Sequence, residues 1–385
     1  MSKDKLNSIN SVFAGGFCPT GNVEKFVMDG ANAPGKIWSD IKDVLNSADY
    51  RVVNLECPFL QGQSPTEKSG PLLNAAPETA QLLKEGRFDL VTLANNHIFD
   101  HGDNGISSTL RICREHNIAT VGAGLTLQDA QKTYYTKIKD RNVAFINFAE
   151  NEFNTASDNH GGSNPLDIID LYNQLREAGR QADLVIVIAH GGHEYFQYPS
   201  PRTVKLYRFL ADNGADAVIG HHPHCVQGCE VYHGVPIYYS LGNFIFPGKA
   251  AVKEHHQGLM VSLSVDCENK CRAEIIPYDQ CGSSGFISLM PENEKNTFIE
   301  QFNILSNTVT EPDKLLDLWR KFALNKEKSF VYALFPWRKS FTGILMRTGL
   351  FYRLIPRLYF LRLLNLIRCE SHRDILVAVL KKLLK

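Results

Sequence analysis

An α/β layered fold built around a buried sheet is what this 385-residue chain predicts. Short apolar runs alternate along the body with segments of helical periodicity, and several of those runs stop abruptly at Asn, His or Glu. Strands of a parallel sheet are buried on both faces and read as such runs, and ligands gather where the strands end. Composition agrees, since 44% hydrophobic and 21% charged residues are ordinary for a globular protein. The length suits one large domain with an appendage.

Strands are expected over 11–15, 51–55, 90–94, 119–122, 143–148, 184–189, 217–220 and 237–240, each dominated by small, branched or aromatic apolar residues. Helical periodicity covers 37–48, 77–85, 105–117, 165–181 and 201–213, with Pro165 and Pro201 at first-turn positions. Beyond Gly258 the pattern changes to paired strands at 259–265 and 272–278, joined by a turn at Glu268-Asn269-Lys270. The body is expected to close near Ser284-Gly285. That gives a domain over 1–285, a helical connection over 286–330 and a basic amphipathic helical segment over 331–385.

The last segment differs in charge. Net charge is zero, yet 338–385 holds eleven Lys/Arg against two acids, leaving 30 cations against 39 acids elsewhere. Ile375, Leu376, Val379, Leu380, Leu383 and Leu384 fall on one helical face, with Lys381, Lys382 and Lys385 opposite. Such a segment either caps the body or lies on an anionic membrane surface. Arg353, Arg357 and Arg362 interleave with Tyr352, Tyr359 and Phe360, but an acidic body argues against a nucleic-acid partner. No basic then apolar leader opens the sequence, and no run of about 18 apolar residues occurs. The expected location is the cytoplasm or the inner face of the membrane. Nine scattered cysteines, an odd number, point to reduced thiols. Cys225/Cys229 and Cys267/Cys271 have the spacing of half zinc sites, with no completing pair.

Chemistry concentrates at the strand ends. The run 217–219 ends at Gly220 and is followed by His221-His222-Pro223-His224, and neutral imidazole is the commonest ligand for zinc, manganese and iron. The run 90–94 leads into Asn95-Asn96-His97 with Asp100 beyond. An Asn amide oxygen can ligate a metal, and an adjacent His whose tautomer is held by an Asp can protonate a leaving oxygen. The run 184–189 leads into His190-Gly191-Gly192-His193-Glu194-Tyr195, with His190 placed to ligate and His193 and Glu194 to line the mouth against substrate. Glu56 follows 51–55, where a carboxylate can bridge two cations, and Asn243 follows 237–240 and can reach the same face to bind substrate. Each also has an ordinary structural use, as a turn former, a helix-start residue or a packed polar group. Glu56, Asn96, His190, His222 and His224 together form a nitrogen and oxygen donor set without thiolate, suited to a pair of Mn, Fe or Zn ions.

The segments Asn54-Leu55-Glu56, Ala94-Asn95-Asn96-His97 with Asp100 and Gly102, His190-x-Gly192-x-Glu194-Tyr195, Gly220-His221-His222-Pro223-His224 with Val226-Gln227-Gly228, and Tyr239-Ser240-Leu241-Gly242-Asn243-Phe244 resemble the CapA family across about 10–285. That family is named for capsule and poly-γ-glutamate synthesis and is similar to the calcineurin-like metallophosphoesterases. The resemblance implies a four-layer α/β/β/α sandwich, to which the sequence pattern adds a C-terminal helical appendage. It also implies a dinuclear site ligated by Glu56, Asn96, His190, His222 and His224, with His97 and Asp100 as the general-acid pair. The implied activity is metal-dependent hydrolysis or transfer at a phosphate or acyl-phosphate centre of a phosphorylated or polymer-precursor substrate. One position departs from the pattern: Gly16 stands where the family's first strand carries a metal-binding Asp. This predicts a weakened half-site, with Cys18 as a candidate substitute. It also keeps open a second role, as a non-catalytic scaffold or binding subunit of a polymer synthesis and export assembly.

Overall fold

The structure is a computed structural model that describes residues 8–29, 36–246, 255–266, 270–280, 286–326, 330 and 356–383. The turn at Glu268-Asn269, the closure at Ser284-Gly285 and the basic positions of 338–355 lie outside the described residues. The first half of the chain runs β1 (Ile9–Phe17), α1 (Gly21–Met28), α2 (Lys42–Ser47), β2 (Tyr50–Leu55), α3 (Ala80–Glu85), β3 (Leu90–Thr92), α4 (Gly102–Glu115), β4 (Ala119–Val121), β5 (Ala123–Gly124), α5 (Leu127–Ala130), β6 (Tyr134–Ile138), β7 (Arg141–Ala149) and β8 (Gly162–Ser163). It continues α6 (Ile168–Gln181), β9 (Leu184–His190), α7 (Pro201–Asp212), β10 (Ala217–His221), β11 (Cys229–Tyr232), β12 (Val235–Tyr238), β13 (Asn243–Ile245), β14 (Gln257–Val265), β15 (Cys271–Asp279) and β16 (Ser288–Leu289). Four helices follow among the described residues: α8 (Glu292–Val309), α9 (Pro312–Asn325), α10 (Arg357–Arg368) and α11 (Glu370–Leu383).

Two sheets form. The first has the order β16-β15-β14-β1-β2-β3-β4, with β13 added parallel to the end of β1; the second has the order β11-β12-β10-β9-β7-β6. In each, the central strands β1 to β4, and β12, β10, β9 and β7, run parallel. Alternation along these strands sends side chains to both faces. Phe13, Val52, Leu90 and Val121 from one sheet meet Phe145, Ile186, Ile188 and Ile219 from the other in the central apolar layer. Val12, Val53 and Val91 point the other way, under Leu45, Leu82 and Ile106 of α2, α3 and α4. On the second sheet Ile146, Val187 and Val218 lie under Leu171, Leu175 and Leu210 of α6 and α7. The layers are therefore helix, sheet, sheet, helix, the four-layer sandwich that the family resemblance implies.

Several local expectations are corrected. Pro165 does not open a helix: it bridges to Ala149, and Asp167 caps α6 by accepting from the N–H groups of Ile169 and Asp170. Pro201 does occupy the first turn of α7, whose cap is Ser200. The helix expected over 37–48 is split into a 3₁₀ turn at Ser39–Ile41 and the short α2. The first sheet extends past residue 285, because β16 pairs with β15.

The C-terminal helices pack on the body. Ile375 and Val379 of α11 are buried against α9, where Trp319 and Phe322 meet them. The apolar stripe of this segment is thus turned into the protein over most of its described length, while Val377 and Leu383 stay exposed. Polar anchors join α10 and α11 to the loop after β7. Glu370 accepts from Asn151 N–H at 3.2 Å and Nδ2 at 3.1 Å, and Asn365 donates to Glu152 at 3.3 Å. Among the described residues no helix is long and apolar enough to cross a membrane.

Candidate metal centre

The parallel strands of both sheets deliver their C-terminal ends to one place. Glu56 follows β2, Asn96 follows β3, His190 ends β9, His222 and His224 follow β10, and Asn243 opens β13. Glu56, His190, His222 and His224 are all buried. His190 Nε2 lies 3.1 Å from Asn96 Oδ1, 3.2 Å from His222 Nδ1 and 3.7 Å from Glu56 Oε1, and His224 Nε2 lies 3.7 Å from the same carboxylate oxygen. Ligand atoms of Glu56, His190 and His222 all fall within 4.8 Å of one another.

Electrostatics explain what this cluster needs. Among the described residues the buried Glu56 Oε1 has no hydrogen-bond partner, whereas Oε2 accepts from Asn54 at 3.3 Å. Burial pushes the Glu56 carboxyl up to about 7, with His224 opposing and Glu194 adding to the rise. Burial also drives the His190 and His222 imidazoles below their ordinary range, so both rings are neutral near pH 7 and offer lone pairs. An orphaned carboxylate oxygen facing neutral imidazoles is a donor set that a divalent cation satisfies.

Supporting residues fix the rings. Asn243 Oδ1 stands 2.9 Å from His224 Nδ1, so Asn243 reaches the crevice through the ring it orients. Asn95 clamps the end of β3 to β2 by donating to Leu55 and Leu93 carbonyls at 2.7 and 3.0 Å. The backbone at His222 and His224 takes positive φ values of 102° and 56°. Non-glycine residues in that region store about 1–3 kcal/mol each. With metal chelated away, His222→Gly is therefore expected to be about 1 kcal/mol more stable than His222→Ala in urea denaturation; equal midpoints would show that no strain is held there.

Asp100 Oδ2 lies 2.7 Å from His97 Nδ1 and accepts from Leu73 N–H at the same distance. Lys68, which sequence reading passed over, is buried against this pair. It ion-pairs with Asp100 and donates to the Asn96 carbonyl at 3.1 Å. Burial lowers the His97 imidazole, the Asp100 hydrogen bond opposes, and the Lys68 charge lowers it further. No sequence signal marks Lys68, because it lies in a loop rich in Gly, Ser and Pro more than 25 residues before the groups it serves.

His193 and Glu194 line a cleft beside His222. His193 Nε2 accepts from Trp319 Nε1 of α9 at 3.3 Å. Cys18 stands apart from the ligand cluster, packed with Cys57 in the apolar layer under α1 to α4. No disulfide joins any two of the seven described cysteines. At Gly16 an added Cβ would collide with Glu56 Oε2, so the Glu56 carboxylate leans into the room a side chain there would use.

The family model described as "Bacterial capsule synthesis protein PGA_cap" matches residues 11–248. The chain is 34% identical over 214 residues to the PGA biosynthesis protein CapA of Bacillus subtilis, covering 54% of this chain and 56% of that protein. It is 34% identical over 219 residues to the capsule biosynthesis protein CapA of Bacillus anthracis, covering 54% and 53%. The chain thus spans about half the length of the curated relatives it matches. A phosphatase structure from Mycoplasma pneumoniae superposes at a TM-score of 0.45 with 16% identity, covering 71% of this chain and 95% of that one.

Proposed function

The chain belongs to the bacterial capsule synthesis family PGA_cap, and from that premise we propose that it is a metal-dependent hydrolase or transferase of surface-polymer biosynthesis, of the poly-γ-glutamate type, acting at a phosphate or acyl-phosphate centre. One observation carries the reading: the buried Glu56 Oε1 has no hydrogen-bond partner among the described residues and faces His190 and His224 at 3.7 Å each.

Glu56, His190 and His222 would hold a divalent ion, Mn, Fe or Zn, with Asn96 and His224 at the margins of the same crevice. The chemistry such ions supply is an activated water and charge neutralisation at phosphorus. His97 is the proton carrier. Asp100 accepts from Nδ1 and fixes the tautomer, so Nε2 is the nitrogen that exchanges a proton with a leaving oxygen. An anionic substrate beside His97 opposes the effects of burial and of Lys68, favouring the protonated ring when it must donate. The layered body keeps water from the crevice floor, since every candidate ligand except Asn96 is more than nine-tenths buried.

Elemental analysis of the purified protein, followed by assay of a simple phosphodiester after Mn, Fe or Zn reconstitution, tests this. Bound metal that falls in His190→Ala, together with turnover in the wild type, is the expected result; no metal and no turnover would sink it. The missing carboxylate at Gly16 favours a second reading, a scaffold with a degenerate half-site. Polymer production that survives His190→Ala in cells would establish that role.

The Gly16→Asp variant is informative for both. The group it displaces is the flexible end of Glu56, so the chain can accommodate it, but two carboxylates then share one buried space. Without metal the variant is expected to melt below the wild type, and with metal to regain more in Tm than the wild type does. Identical metal-induced shifts would show that position 16 does not face the ions.

A further inference from the structure

The cleft that opens beside His222 is walled on its other side by the C-terminal helices, and has a volume of about 320 Å³. Lys326, Arg362, Asn365 and His372 contribute its polar lining from α10, α11 and the end of α9. All of them lie beyond residue 248, where the family match ends.

The charge balance of this wall is one-sided for a structural reason. The described acids around it are already engaged: Glu150 and Asp374 with Arg202, Glu370 with Asn151, and Glu152 with the amide of Asn365 in the wall itself. Among the described residues neither Lys326 nor Arg362 has an acidic partner. The Lys326 ammonium rests 5.3 Å above the Phe322 ring, and His372 Nδ1 lies 3.2 Å from Asn365 Nδ2. Among the described residues Glu194 is the single acid of the lining. Two permanent cations and His372 therefore line the helical wall of a cleft that opens onto a candidate metal ligand, next to apolar surface from Leu366 and Ile375. A guanidinium and an ammonium so placed recognise an oxyanion carried on a short organic stem.

We propose that this cleft binds a second anionic group of the substrate, a carboxylate or phosphate set apart from the phosphorus centre that reacts at the crevice. The assignment rests on reading the crevice as the reaction centre. It gives the C-terminal helices a role in choosing substrate.

Calorimetric titration of the full chain with glutarate, glycerol 3-phosphate and uncharged glutaramide tests it. Both anions are titrated into the wild type, His190→Ala, Arg362→Gln and Lys326→Gln. Arg362 is exposed, so its replacement does not disturb packing. Binding of at least one anion is expected, retained in His190→Ala and weakened about tenfold in each of the other two variants. Glutaramide is expected not to bind, and the tighter anion identifies the group. Anion binding that is unchanged in Arg362→Gln and Lys326→Gln, or absent in the wild type, overturns the proposal. Turnover of bis-p-nitrophenyl phosphate, which carries no distal anion, and metal content report on the crevice separately. Loss of those in the wild type is a failure of the reaction centre, distinct from any failure of the cleft.

Discussion

Glu150→Ala is expected to destabilise the protein by about 3–5 kcal/mol at pH 7, because it breaks a buried ion-pair network by removing one partner. Glu150 follows β7 and is buried, and it ion-pairs with Arg202 of α7. It also accepts from the Ser371 hydroxyl at 2.5 Å and from Gly192 N–H at 3.2 Å. Arg202 in turn donates to Asp374 of α11 at 2.6 Å. The network ties the second sheet, the Gly191-Gly192 turn beside the crevice and the C-terminal helices to one another. The pH dependence has a definite sign. Burial alone would raise the Glu150 carboxyl, but Arg202, Ser371 and the Gly192 N–H hold it down at about 2. A carboxylate whose folded value is depressed contributes stability that is fully present above the unfolded value near 4.5 and is lost as pH falls through about 2. The stability gap between wild type and Glu150→Ala, read by urea denaturation, should therefore narrow as pH drops from 5 toward 2. A gap that stays constant with pH would mean that the charge of Glu150 is not what stabilises the clasp.

His97→Ala is expected to lower turnover by about 10²–10⁴-fold while leaving bound metal unchanged. The distinction follows from placement, since His97 is held by Asp100 and Lys68 and lies outside the Glu56, His190 and His222 cluster. Asp100→Asn should produce a smaller loss, through the ring's tautomer and orientation. Metal content by elemental analysis and turnover of a phosphodiester separate the two effects. Loss of metal in His97→Ala, in proportion to activity, would make His97 a ligand and not a proton carrier.

The candidate ligands were legible because each sits within a few residues of an apolar run. Burial on both faces makes a central strand readable from local pattern alone, and the polar residue that ends it is then conspicuous. Glu56 after β2 and His190 at the end of β9 are such cases. Asn243 was harder to place. It follows a strand of the second sheet but opens β13, which joins β1 of the first. A crossing between sheets leaves no periodic trace, so its contact with His224 was not foreseeable.

The sequence by itself determined the alternation of strands and helices, the strand ends that carry Glu56, Asn96, His190, His222 and His224, and the absence of a carboxylate at Gly16. Those are local properties, set by side-chain chemistry and hydrophobic period. Only the tertiary structure decided what Glu56 does with the space at Gly16, that Lys68 backs the His97–Asp100 pair, and that the basic C-terminal helices close a cleft over His222. Each depends on partners far apart in the chain, such as Glu150 and Ser371, 221 positions distant. Contacts of that range are selected by how the packed layers bring elements together, and no local pattern encodes them.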